Sequence, residues 1–111
     1  MIKATEVSPL HEVEHMDLYE QLVCALYRNG WDGRPILAAD YDGEICALTG
    51  SHRIAAARHV DMEIPVYLVS LTKEQIERCW EGFQDDRKAV IAETGDADAI
   101  ALFDLELKEG R

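Results

Sequence analysis

The run ALTGSHRIAAARHV, from Ala47 to Val60, constrains the fold more than any other part of this chain. An apolar segment meets a single glycine, Gly50, and three alanines follow at 55–57. Glycine weakens a strand because it has no side chain to pack, whereas alanine is the best helix former. The pattern predicts a strand that stops at Gly50. It also predicts a helix that begins at once, with Ser51 as its cap, and runs to about Val60. A strand feeding directly into a helix points to an α/β protein.

The flanking segments agree with that class. IKATEVS reads as one short strand, left through Pro9. Asp17 reads as an N-cap with Glu20 as its capping-box partner, and Leu18, Leu22, Val23, Leu26 and Tyr27 follow at helical spacing. Gly30 stops that helix, and GWDGRP is a loop. PILAADYDGEICAL reads as two strands joined at Asp42-Gly43, a common hairpin turn. DMEIPVYLV is a turn followed by a buried strand. Thr72 and Gln75 form a second capping box, opening a helix that places Ile76, Cys79, Trp80, Phe83, Val90 and Ile91 near one face. TGDAD stops it, and Asp96 or Asp98 starts a last short helix with Ile100, Leu102 and Phe103. The order implies one α/β domain, a small mixed sheet with packed helices. Residues 1–71 form its core, and 72–111 form a helical extension on the same domain.

Composition removes several function classes. With 22 acidic against 11 basic residues the net charge is −11. That opposes direct binding to nucleic acid, where Lys and Arg neutralise phosphates. No apolar run of about 18 residues implies a membrane span. The first residues lack the apolar stretch of a signal peptide, so a cytoplasmic protein is expected. Cys24, Cys46 and Cys79 are odd in number and form no C-x-x-C pair, which predicts buried free thiols.

The segment HEVEH, His11 to His15, fits the His-Glu-x-x-His pattern of zinc proteases. That pattern works only where both imidazoles share a helix face and a third ligand arrives. Pro9 precedes it closely, a new helix start is read at Asp17, and no Gly-x-x-His follows. Zinc hydrolysis is therefore set aside, and the plain reading is a turn with two incidental histidines.

The Gly50 junction carries the stronger signal. The first amides of a helix have no acceptor within the helix, and its macrodipole is positive there. Gly50 presents no side chain to an approaching ligand, Ser51 offers a hydroxyl, and His52 and Arg53 add donors. Together they suit an anion, most naturally phosphate. The plain alternative is a Ser-capped helix with a surface His and Arg. Arg34, at the mouth of a strand, either reaches the same phosphate or is a loop residue. Trp31 either covers a base or packs over the core. Trp80 and Phe83 are expected in the core. Arg58, His59 and the run Asp85, Asp86, Arg87, Lys88 are expected on the surface.

The stretch GRPILAADYDGEICALTGSHRIAAARHVDMEIPVYLV resembles the ParB/sulfiredoxin superfamily. The likeness lies in a Pro-Ile strand after a helix, a Gly-x-His-Arg loop, an alanine-rich helix and then Ile-Pro-Val. It covers roughly residues 3–71. The resemblance implies that the loop cradles nucleotide phosphates, with ATP or CTP as cofactor and Mg²⁺ beside it. The free-serine-kinase type of this fold looks nearest, because SPLHEVEH stands where that branch has Pro-His-Glu. By that likeness Glu12 is the carboxylate facing an acceptor hydroxyl, a sensible general base. His52 and Arg53 hold phosphates. Thr49 stands where that branch has an Asp suited to Mg²⁺. Sulfiredoxins carry a Cys directly before His-Arg, and here it is Ser51. The partitioning proteins carry Glu-Arg-Arg in the loop, and the residues after Leu71 leave no room for their later domains.

Two functions follow from the resemblance. One is a small nucleotide-dependent phosphotransferase or hydrolase, acting on a small-molecule or protein acceptor. The other is a non-catalytic, acidic interaction module of the kind that resembles phage or mobile-element accessory proteins. A homodimer is compatible with either.

Overall fold

The computed structural model describes residues 2–10, 13, 16–31 and 34–109. Its elements are β1 (Ile2–Lys3), a 3₁₀ turn (Ala4–Glu6), β2 (Val7–Ser8), α1 (Met16–Asn29), β3 (Ile36–Tyr41) and β4 (Glu44–Ala47). Then come α2 (Ser51–His59), β5 (Glu63–Ile64), β6 (Val66–Leu68), α3 (Lys73–Glu81), α4 (Gln84–Glu93) and α5 (Ala97–Glu109).

Four strands form the main sheet in the order β2-β4-β3-β6. β3 and β4 are the predicted hairpin. Asp42 (φ 52°) and Gly43 (φ 91°) both have positive φ, as a two-residue type I′ turn requires. The Gly43 amide also donates to Asp40 Oδ1 at 2.7 Å. β2 runs parallel to β4, and β6 parallel to β3. β1 and β5 pair separately as an antiparallel ribbon.

Alternation along β3 and β4 explains the layers, because successive side chains point to opposite faces. Leu37, Ala39, Cys46 and Leu48 face one core, packed with Ile76 and Cys79 of α3, Val90 and Ile91 of α4, and Ala99 and Phe103 of α5. Ile36 and Ala47 face the other, packed with Leu22 and Leu26 of α1 and Ile54, Ala56 and Ala57 of α2. The sheet is thus covered on both sides, which is why ILAA is apolar without a break. The helices after residue 72 cover one whole face of it.

Several boundaries differ from expectation. The single strand predicted over residues 2–8 is two strands around a 3₁₀ turn. Arg58 is the cause on the packing side: Nε donates to the Ala4 carbonyl at 3.0 Å and an Nη to the Val7 carbonyl at 2.6 Å. Arg58 is exposed as expected, yet it stitches α2 to the N-terminal segment. Helix α1 already includes Met16, so Asp17 lies in its first turn rather than at the cap. Pro65, which has no N–H for a ladder, divides the expected strand into β5 and β6, and its carbonyl accepts from the Ile36 amide at 2.9 Å.

The expected single helix from Thr72 breaks at Gly82 and Phe83. Phe83 is 84% exposed and Trp80 39%, so neither is a core residue as predicted. A Cβ on Gly82 would crowd the Asp86 side chain and the Arg78 carbonyl, and the Phe83 amide donates to Asp86 Oδ2 at 2.9 Å. The chain therefore folds back, and α4 returns along α3 with Arg78 paired to Glu93. The Trp80 indole N–H donates to the Ala47 carbonyl at 3.3 Å. The Thr72–Gln75 capping box has both arms in place. Asp96, not Asp98, starts α5, its Oδ1 accepting from the amides of Asp98 and Ala99. Cys46 and Cys79 are buried free thiols, whereas Cys24 is exposed on α1. Among the described residues no helix is long and apolar enough to cross a membrane.

Candidate functional site

Gly50 is left-handed (φ 73°, ψ 31°) and is itself the N-cap of α2, so Ser51 is the first helical residue and not the cap. A Cβ at Gly50 would overlap Ile36 Cδ1. Glycine is therefore favoured twice, for the backbone angle and for the close approach to the Ile36 side chain of β3. The Ile54 amide makes the first intrahelical bond, to Gly50 O at 2.9 Å.

Among the described residues, the buried polar and charged ones are Thr49, Ser51, His52 and Arg53. All fall in the five-residue run around Gly50. Burying polar groups is costly unless each finds a partner, and a buried cation costs most. Thr49 Oγ1 accepts from the Leu37 amide at 3.3 Å, continuing the β3–β4 ladder past Ala47 with a side chain. Arg53 is only 6% exposed. An Nη donates to the Arg34 carbonyl at 2.7 Å, and the guanidinium carbon lies 4.3 Å from the centre of the Trp31 ring. The Trp31 indole N–H donates to the same Arg34 oxygen at 3.2 Å.

The charge pattern at helix starts sets this one apart. The first turns of α1, α3, α4 and α5 carry Asp17, Glu74, Asp85 with Asp86, and Asp98, as the macrodipole favours. The first turn of α2 has no acid and carries Arg53. A cation there adds to the positive end of the helix instead of offsetting it.

The structure thus brings Thr49, Gly50, Ser51, His52 and Arg53 to one end of α2, with Arg34 contributing its main chain beside them. Arg34, expected either to reach phosphate or to be a loop residue, accepts from Arg53 through its carbonyl. Trp31 packs against the core around α1 and α2 and bears Arg53 on its ring. Its partnership with Arg53 had no signature in the sequence, where the two stand far apart. Glu12, the predicted base, and the whole zinc-like pair His11 and His15 lie outside the described residues. Among the described residues no group of three or more His, Cys, Asp and Glu could hold a metal. A groove of about 580 Å³ runs along α1, lined by Asp17, Glu20, Gln21, Cys24 and Arg28, and none of the predicted site residues lines it. Burial raises the Cys79 thiol to about 11 and raises Cys46 also, which leaves neither as a thiolate at neutral pH.

The architecture is a sulfiredoxin-like fold. The chain is similar to the crystal structure of sulfiredoxin from Arabidopsis thaliana, with a TM-score of 0.60 and 17% identity over 70% of this chain and 91% of that one. At that identity the likeness is one of fold. No protein-family model and no curated protein matches the sequence.

Proposed function

We propose that this ParB/sulfiredoxin-like domain binds a nucleotide through its phosphates at the start of α2. The carrying observation is the buried Arg53 in a first turn that has no acid, in a chain of net charge −11. A phosphate at that end is stabilised by the macrodipole and by the guanidinium together. Gly50 supplies close main-chain approach, and Ser51 and His52 supply side chains at the same turn.

Topology supports Glu12 as the base of a phosphotransferase or hydrolase. β2 runs parallel to β4 with Ser8 beside Cys46, so β2 ends at the edge where β4 leads to Gly50. Glu12 follows Ser8 by a few positions. A carboxylate there takes the proton of an acceptor hydroxyl or water, and the phosphate site otherwise provides positioning and charge stabilisation. Binding without turnover is the second reading, favoured by Thr49. Its oxygen accepts the Leu37 amide and has no charge to offer Mg²⁺.

Thermal unfolding with ATP, ADP, CTP and GTP, each with and without Mg²⁺, tests the proposal. A ligand at 100 times its Kd adds about 2.7 kcal/mol. A shift for one nucleotide that Arg53→Ala reduces is the expected result, and no shift for any of the four overturns the reading. Product formation lost in Glu12→Gln then identifies an enzyme, and binding without product identifies a switch or module.

A further inference from the structure

Trp31, the Arg34 carbonyl and the Arg53 guanidinium form a closed triangle behind the first turn of α2. One oxygen accepts two donors, from the indole at 3.2 Å and the guanidinium at 2.7 Å, so both of its lone pairs are used. The third side is the guanidinium over the indole ring at 4.3 Å. Tryptophan gives the strongest cation–π contact of the aromatic residues. The platform is fixed from behind, because Trp31 packs on the same core as α1 and α2. Before it, Gly30 ends α1 with its amide on the Leu26 carbonyl, and after it β3 begins at Ile36.

We propose that Trp31 is a positioning residue for the phosphate site, holding the Arg53 guanidinium oriented before any ligand arrives. The inference rests on the phosphate-binding reading above. An arginine loses much rotamer freedom when it clamps an oxyanion, and a guanidinium already held by ring and carbonyl loses little more on binding. One face of the indole is taken by Arg53, so Trp31 serves the phosphate end of a nucleotide and not its base.

Binding of ATP is measured by equilibrium dialysis on wild type, Trp31→Phe, Trp31→Leu, Arg53→Ala and the double variant Trp31→Leu/Arg53→Ala. Loss of the stacked contact in Trp31→Leu should weaken binding roughly 3- to 30-fold, and Trp31→Phe, which keeps a ring, should stay within about threefold of wild type. Trp31→Leu should cause no further loss when Arg53 is already Ala, because its effect passes through that guanidinium. A second arm leaves Trp31 intact. In a Trp80→Phe background Trp31 is the remaining tryptophan, and its emission should change on adding inorganic tripolyphosphate, which has no base to stack.

Wild-type binding with Trp31→Leu equally tight, or weakened by the same factor with and without Arg53, overturns the positioning role and leaves the phosphate site standing. Emission that responds to ATP but not to tripolyphosphate does the same, because the indole then meets the base. Wild type binding neither ATP nor tripolyphosphate removes the phosphate reading itself, and this inference with it.

Discussion

Replacing Gly50 by alanine should destabilise the protein by about 2–5 kcal/mol, from two sources that can be measured apart. The first is conformational. Gly50 sits at φ 73°, ψ 31°, where an L-residue pays roughly 1–2 kcal/mol. The second is steric. The new Cβ overlaps Ile36 Cδ1, the tip of a fully buried side chain in β3, and overpacking of a core costs about 1–3 kcal/mol. Gly30 supplies the control: its φ is 70°, but nothing lies within 4 Å of a Cβ built there. Gly30→Ala should therefore show the conformational part alone, about 1–2 kcal/mol. Urea unfolding of both variants gives the steric part by difference. A third variant, Gly50→Ala with Ile36→Val, deletes the Cδ1 that is struck. Ile36→Val alone should cost about 0.5–1.5 kcal/mol, yet in the Gly50→Ala background it should cost less or stabilise. Equal losses for Gly50→Ala and Gly30→Ala, with additive behaviour of the pair, would refute the claim that β3 and the start of α2 are in contact at this point.

Two further outcomes are expected. Phe83→Ala should change stability by less than about 0.5 kcal/mol, because the ring is exposed, whereas Phe103→Ala in the core should cost about 3–5 kcal/mol; chemical denaturation separates them. The Asp96 carboxyl is held below its usual range, first by the Ala99 amide and then by the Tyr67 hydroxyl. A depressed pKa stabilises the folded form above the unfolded value near 3.9 and loses that contribution as pH falls through the folded value. The difference between wild type and Asp96→Asn, followed by thermal unfolding from neutral pH to below pH 4, should shrink only at the acid end. A difference independent of pH would refute the assignment.

Local chemistry made much of the fold legible. Asp42-Gly43 marks its hairpin because both residues tolerate positive φ. Thr72 and Gln75 mark the start of α3 because each answers the other's amide. Gly50 marks the strand-to-helix junction and, with Ser51, His52 and Arg53, the candidate site. What the sequence hid depends on distant partners. The break at Gly82 and Phe83 is set by the return of α4 along α3, and helical spacing of Trp80 and Phe83 continues unbroken across it. The division of residues 2–8 depends on Arg58, some fifty positions later. Asp17 and Ser51 have the composition of caps, but they stand within their helices, Asp17 as the second residue of α1 and Ser51 as the first of α2.

The layering narrows where a ligand can use this scaffold. Helices α1 and α2 cover one face of the sheet and α3, α4 and α5 cover the other, so among the described residues both faces are occupied by helices. What remains is the ends of strands, the usual ligand position in sheets flanked by helices on both sides. At one such end β2 and β4 finish together, β3 begins, and Trp31 and Arg34 meet Arg53 at the start of α2. The buried polar residues named above are confined to that end. Helix packing on a sheet does not require polar side chains there, and four of them buried in one run carry a cost that apolar residues would avoid. The same end holds the helix start whose first turn has no acid. The anion site proposed above would account for both departures with one cause.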